Sequence, residues 1–170
     1  MTEKHALEPW LRGTLTDVPP VHRAVLHALE LAKEDVARWC SNLSDAQLNG
    51  RPQEIAPVAF HVRHIARSID RLLTYAEGSQ LAGDQLAALK SELDAGAASH
   101  ELFAEFNAAM DKAALRIRAL VPVKLDEPRK VGRKELPTTV GGLLVHVADH
   151  TQRHVGQAIT TAKTVAAHKA

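Results

Sequence analysis

Residues 138–163, TTVGGLLVHVADHTQRHVGQAITTAK, contain the pattern that decides the fold. Apolar residues recur at helical spacing along this stretch, which predicts one long amphipathic helix. His146, His150 and His154 occupy every fourth position, so they lie along one side of that helix. Imidazoles at this spacing are a pattern that binds metal ions. The rest of the fold is therefore expected to be built around this helix.

Geometry limits this row of histidines to one pair of ligands. Two histidines four residues apart have Cβ atoms roughly 5–6 Å apart, so both can reach one ion. His146 and His154 are roughly 12 Å apart along the axis, whereas a zinc–nitrogen bond is about 2.0–2.1 Å. The apolar residues of the helix place His154 nearest the buried side, His150 next and His146 furthest. We therefore expect His150 and His154 to be the pair, with His146 at the rim.

Composition and charge narrow the class of protein. The chain has 170 residues, of which 45% are hydrophobic, so we expect one domain over residues 1–170 with its core at about 19–165. A net charge of +1 disfavours binding to nucleic acid. The N-terminus lacks a signal-peptide core, no stretch has the roughly 18 continuous apolar residues of a membrane span, and Cys40 is the only cysteine. We therefore expect a cytoplasmic protein that binds neither nucleic acid nor membranes.

Helical periodicity without convincing alternation at period two predicts an all-α chain. Four long helices are expected over about residues 20–42, 57–77, 99–121 and 138–163, and a short one over 84–95. Ser99 and Thr138 are the expected caps of the third and fourth long helices. Four long amphipathic helices in one domain predict a four-helix bundle. The connections over residues 78–99 and 121–137 are too long for tight hairpins, so we expect at least one to cross the bundle and form a lid or pocket wall.

The second long helix supplies the histidines that would face this pair, His61 and His64. Metal sites in bundles are built from facing helices. The apolar residues of this helix place His61 closer to the buried side than His64. Phe60, His64 and Tyr75 nevertheless form a second, partly apolar side, as expected for a helix that touches two neighbours or faces a pocket. Amphipathicity alone therefore leaves the choice between His61 and His64 open.

At these residues the chain resembles the DinB/YfiT-like superfamily of metal-dependent enzymes. The resemblance rests on FHVRHIARSIDRLLTYAEG and LLVHVADHTQRHVGQA and covers residues 21–162. In that family, a histidine before an aliphatic residue on the second helix and an HxxxH pair before a Gly-Gln step on the fourth bind a divalent metal. By position these are His64, His150 and His154, with His61 as the alternative to His64. Val155 stands where the family often has Arg, which affects no ligand. The resemblance also implies long crossover connections and a homodimer.

The expected ligand set suits a catalytic metal. Three neutral imidazoles leave a divalent ion with an open position, and zinc, nickel or iron would fit them. Such an ion can lower the pKa of a bound water to about 7, or hold a thiolate or carbonyl oxygen. We therefore expect an enzyme that acts on a small molecule, by hydrolysis or by transfer with a low-molecular-weight thiol. The thiol reaction is implied by the resemblance alone. A non-catalytic metal sensor or structural site, and a helical interaction module, are the alternatives.

Other polar residues are weaker candidates. Those one turn from an expected ligand could contact it or the substrate, and they are Ser68 and Gln157. The candidate proton acceptors, among which the spacing does not choose, are Asp70, Glu77 and Asp149. The charges interpreted as a solvated surface cluster are Arg67, Asp70 and Arg71. The histidines interpreted as incidental are His5, His22, His27, His100 and His168.

Overall fold

The computed structural model describes residues 7–94 and 96–167, so His5 and His168 lie outside the described residues. Over these ranges the chain forms six α-helices and one two-stranded antiparallel sheet. The elements are α1 (Pro20–Cys40), α2 (Asp45–Asn49), α3 (Val58–Ala76), α4 (Gly83–Lys90), α5 (Ser99–Ala119), β1 (Pro128–Val131), β2 (Leu136–Thr139) and α6 (Val140–Ala167). The predicted all-α bundle with four long helices is therefore confirmed. Within the described ranges, no helix combines the length and apolarity needed to cross a membrane.

The four long helices form a ring in which each packs against two others. α6 packs along α1 and α3, while α5 packs against α3 and α1. Few contacts join α1 with α3, or α5 with α6. α1 and α3 therefore lie at diagonally opposite corners of the bundle, and so do α5 and α6. The residues 120–139 that connect α5 to α6 therefore cross one end of the bundle.

Side-chain contacts give the directions of the helices. Along α3, Arg67 pairs with Glu105 and Asp70 pairs with Lys112 further along α5, so α3 and α5 run parallel. Two parallel helices in sequence require a connection that returns along the bundle, and residues 77–98 provide it, with α4 lying against α3. The predicted long crossover is therefore confirmed, and it runs beside the helix that carries His61 and His64.

The core is made by the apolar faces of the four long helices. On α3, Ile65, Ile69 and Leu73 recur at four-residue spacing and are almost completely buried. They belong to one apolar cluster that also contains Phe106 of α5 and Leu144 of α6. This packing fixes the rotation of α3 against α6, and with it the positions of the histidines on both helices.

The helix ends correct two predicted caps. Thr139 caps α6, because its Oγ1 accepts a hydrogen bond from the backbone N–H of Gly142 at 3.1 Å. Thr138 instead belongs to β2, opposite Arg129. Ala98, not Ser99, is the cap residue of α5. Gly78 ends the α3 region as predicted, with a φ of +87° that favours glycine.

The connection between α5 and α6, predicted only to be a long connection, contains the hairpin of β1 and β2. Pro128 pairs with Thr139 and Val131 with Leu136, around a turn in which Gly132 has a φ of +69°. Both strands are short and largely exposed, so they carry no alternating apolar pattern. The hairpin joins the two helices of the site, since Arg129 Nε donates to the carbonyl of Ala76 at 2.7 Å and β2 leads directly into α6.

Candidate metal centre

The antiparallel packing of α3 and α6 brings three histidines together. The ring centroids are 4.4 Å apart for His64 and His154, 4.7 Å for His150 and His154, and 5.0 Å for His64 and His150. One nitrogen of each ring lies within 4.8 Å of the other two. His64 Nε2 and His150 Nε2 are 3.4 Å apart, close to the about 3.3 Å between two nitrogens bound to one tetrahedral zinc. The donor set and its spacing therefore fit a divalent metal ion.

The opposite nitrogen of each ring has its own partner. His64 Nδ1 is 2.6 Å from Glu92 Oε2, and His154 Nδ1 is 3.1 Å from His61 Nδ1. His150 Nδ1 is 3.4 Å from Ser68 Oγ, whose hydroxyl donates to the carbonyl of Ile65 and can accept from the imidazole. Nε2 is thus left as the free nitrogen of each ring. Histidines that bind metals are held in this way by a second partner on the other nitrogen.

Glu92 is the partner that sequence reasoning missed. It lies just after α4, is 4% exposed, and accepts a second hydrogen bond on Oε1 from Arg71 Nη1 at 2.6 Å. Burial raises the pKa of the Glu92 carboxyl, but the hydrogen bonds of His64 and Arg71 outweigh burial and hold this pKa below its usual value. An ionised carboxylate only accepts hydrogen bonds, so His64 Nδ1 donates a proton to Glu92, and His64 Nε2 is the nitrogen that faces His150. The surface role predicted for Arg71 is wrong, because its side chain is only 11% exposed and pairs with the Glu92 side chain, which is 5% exposed.

The surroundings of His61, His150 and His154 favour the neutral form of each imidazole. Burial first, and then repulsion between neighbouring imidazoles, lowers the pKa of His61, His150 and His154 to about 4. These rings are therefore uncharged at pH 7, and each has a lone pair available. Neutral imidazole is the form of histidine that binds metal ions.

His61 and His64 have different places in the site. His61 is the more deeply buried, as amphipathicity predicts, but it reaches the cluster only through its contact with His154. His64 lies with His150 and His154 and stacks on Phe60, with ring centroids 5.3 Å apart. The histidine selected by the family resemblance is thus the one that the structure groups with the pair on α6. That the three bind a metal stays a prediction.

The remaining candidates lie outside the cluster. Each candidate proton acceptor is engaged elsewhere: Asp70 and Glu77 with Arg116, and Asp149 with Arg153 and His146. His146 is exposed, with its ring centroid 5.3 Å from that of His150. Arg67, interpreted as part of a solvated cluster with Asp70 and Arg71, pairs with Glu105 of α5. Of the histidines interpreted as incidental, His100 is exposed, whereas His22 and His27 are buried.

An open cleft lies beside the histidine cluster. It has a volume of about 460 Å³ and is lined by His61, Arg153, Gly156 and Gln157, among others. A second groove, of about 230 Å³, lies between α3, α4 and α5 and is lined by charged residues that pair with one another. Only the first of these two spaces has a histidine of the site in its wall. Gln157 lies in that wall and is exposed.

Comparison with known protein families identifies one that matches most of the chain. The model of the DinB superfamily matches residues 28–158, a span that includes α3, the crossover between α3 and α5, and the part of α6 that carries the histidines. No curated protein shows a significant match to the chain.

Proposed function

The chain belongs to the DinB superfamily, and on that basis we propose that it is a metal-dependent enzyme acting on a small molecule. The observation that carries the proposal is the convergence of His64, His150 and His154, each with a second partner on the nitrogen that faces away from the others. Zinc, nickel and iron all suit such a donor set. A divalent ion held there would supply Lewis-acid chemistry, either to activate water for hydrolysis or to activate a thiol for transfer.

The residues of the chain have separate tasks in this proposal. The three histidines hold the ion through neutral nitrogens, so its positive charge stays available for the reaction. The cleft lined by His61, which contacts the proposed ligand His154, is the space that would hold a small substrate. Arg153 and Gln157 place a cation and an amide in its wall, where they would orient a polar substrate.

The test begins with metal content. Elemental mass spectrometry of the untagged protein is expected to find one zinc, nickel or iron ion per chain. His150→Ala removes a proposed ligand and is expected to lose the ion. His100→Ala, at an exposed histidine on α5, is the matched control and is expected to keep it. A wild-type protein that holds no metal and cannot be loaded would remove the chemical basis of the proposal.

Substrate screening then separates the two reactions. A metal-loaded protein that cleaves members of a panel of esters, amides and phosphoesters would be a hydrolase. Activity that appears only when a low-molecular-weight thiol is supplied with an electrophile would identify a transferase. The His150→Ala variant is the control for both panels, because metal-dependent activity has to disappear with the ion.

A structural metal site is the second candidate, and one observation favours it. The three histidines come from α3 and α6, which are far apart in the chain, so a shared ion would link two helices of the bundle. In that case chelation would melt the bundle, and the loaded protein would be inert on both panels. Chelation that abolishes activity while the helices stay folded would favour the enzyme.

A further inference from the structure

The segment that follows α4 is held against α3 by a stripe of three arginines. Arg63, Arg67 and Arg71 occupy successive turns on one side of α3. Arg63 Nη1 lies 2.9 Å from the carbonyl of Asp94, and Arg67 Nη1 donates to Ser91 Oγ at 2.9 Å. The third arginine binds the Glu92 carboxylate. The stripe therefore fixes the position of Glu92 beside α3.

We infer that Glu92 is a positioning residue for the metal centre, and that it acts by holding His64 in the tautomer whose Nε2 lone pair faces His150 and His154. The contact of 2.6 Å between Glu92 Oε2 and His64 Nδ1 has the length of a strong, charge-assisted hydrogen bond. Arg71 positions the carboxylate in turn. The inference rests on the metal-binding part of the proposed function and does not require turnover.

Each oxygen of the Glu92 carboxylate has a different partner, which makes the effect of a substitution on His64 predictable. Oε1 accepts from Arg71 and Oε2 accepts from His64. Arginine has only donors, so a glutamine at position 92 would keep its amide oxygen towards Arg71. The amide NH₂ group would then face His64 Nδ1, and the imidazole could accept its hydrogen bond only by carrying its own proton on Nε2. A glutamine would thus hold His64 in the tautomer that cannot bind the metal through Nε2.

An alanine at position 92 imposes no tautomer on His64. If Glu92 served only to fill space, glutamine, which has the same shape, would be the milder substitution. If Glu92 sets the tautomer, glutamine is at least as damaging as alanine. Which of the two substitutions weakens metal binding more therefore shows whether Glu92 positions His64 or only fills space.

The test measures zinc affinity on the full chain, by competition with a chromophoric chelator. Glu92→Gln is expected to raise the zinc Kd about 10–100-fold, the usual cost of losing such a partner, and Glu92→Ala by no more than that. Glu105→Gln is the matched control, because it neutralises the partner of the neighbouring Arg67 without touching a histidine. Its zinc Kd is expected to equal that of the wild type. Nitrogen-15 NMR of the metal-free protein is expected to show the proton of His64 on Nδ1 in the wild type and on Nε2 in Glu92→Gln.

Two results would overturn the inference. One is a Glu92→Gln variant that binds zinc as tightly as the wild type, or more tightly than Glu92→Ala, with the His64 proton still on Nδ1. The other is a wild-type protein that binds no zinc, which would remove the metal centre as well. The enzymatic proposal can fail separately: the expected order of affinities in a protein inert on every substrate would support the role of Glu92 and refute catalysis.

Discussion

Alanine substitutions at His61 and His64 are expected to have effects of clearly different size on metal binding. His61 contacts the cluster only as the partner of His154 Nδ1, at 3.1 Å. Loss of such a partner weakens metal binding about 10–100-fold, or about 1.4–2.8 kcal/mol. His64→Ala removes one of three proposed ligands and leaves Glu92 without its histidine, so its loss of affinity is expected to exceed that of His61→Ala.

Zinc titration against a competing chelator measures both variants on one scale. His61→Ala is expected to bind one zinc per chain with a Kd in the weakened range, and His64→Ala is expected to lose its zinc on desalting. Because His61 is 4% exposed, its removal also leaves a space in the core, so the melting temperature of each metal-free variant has to be recorded as a control. That control separates loss of the site from loss of the fold.

The reverse order would refute the reasoning. If His61→Ala lost zinc on desalting while His64→Ala kept it within the weakened range, His61 would be the third ligand. The burial that amphipathicity predicts would then have been the better guide, and the position taken from the family would be wrong. Equal and complete loss in both variants, with both folds intact, would mean that His61 also binds the ion.

Four further predictions concern stability and assembly. In the metal-free protein, the pKa of His61, His150 and His154 is lowered to about 4, so the folded state binds fewer protons than the unfolded chain below the usual value of about 6.5. The melting temperature of the wild type is thus expected to be highest above pH 6.5 and to fall as the pH drops towards 4. The fall is expected to be less steep in His150→Ala, and the same pH dependence in both proteins would contradict this explanation. Gly156→Ala, in the interior of α6 with open space around the added methyl group, is expected to stabilise the fold by about 0.8–1.0 kcal/mol and to leave zinc affinity unchanged. Thr139→Ala removes the cap of α6 and is expected to destabilise the fold by about 1 kcal/mol, or about 2–4 °C in melting temperature, as measured by calorimetry. Light scattering is expected to give the mass of two chains, and the mass of one would exclude the homodimer.

Local periodicity was sufficient to predict the elements that carry the site. The spacing of His150 and His154, and the apolar stripe through Ile65 and Ile69, depend only on residues within a few turns. Both helices therefore formed where expected. The choice of His64 needed the family, because amphipathicity measures burial, and the most buried histidine of α3 is His61. A ligand has to sit where an ion and a substrate can reach it, at the edge of the core.

What escaped prediction depends on contacts between distant segments. Glu92 lies outside every long helix, and the local sequence SELDAG gives no sign that its carboxylate reaches His64, 28 positions earlier. The parallel pairing of α3 and α5, which brings Glu92 there, is likewise a property of the assembled bundle. The hairpin was missed because its strands, PRKV and LPTT, have no fully buried residue and no alternating pattern of apolar side chains. Each of these features is set by tertiary packing and not by local pattern.

The crossover between α3 and α5 would be thermodynamically coupled to a metal ion bound by the three histidines. Over residues 83–90, α4 has no buried side chain, and the segment after it is held largely through the polar groups of the arginine stripe. Such a segment opens at a lower free-energy cost than the core around Ile69 and Phe106. Opening would separate Glu92 from His64, so an ion on the histidines favours the closed segment, and the closed segment favours the ion by the same factor. Any molecule that binds α4 more tightly in one of these two states therefore changes metal affinity without touching a ligand.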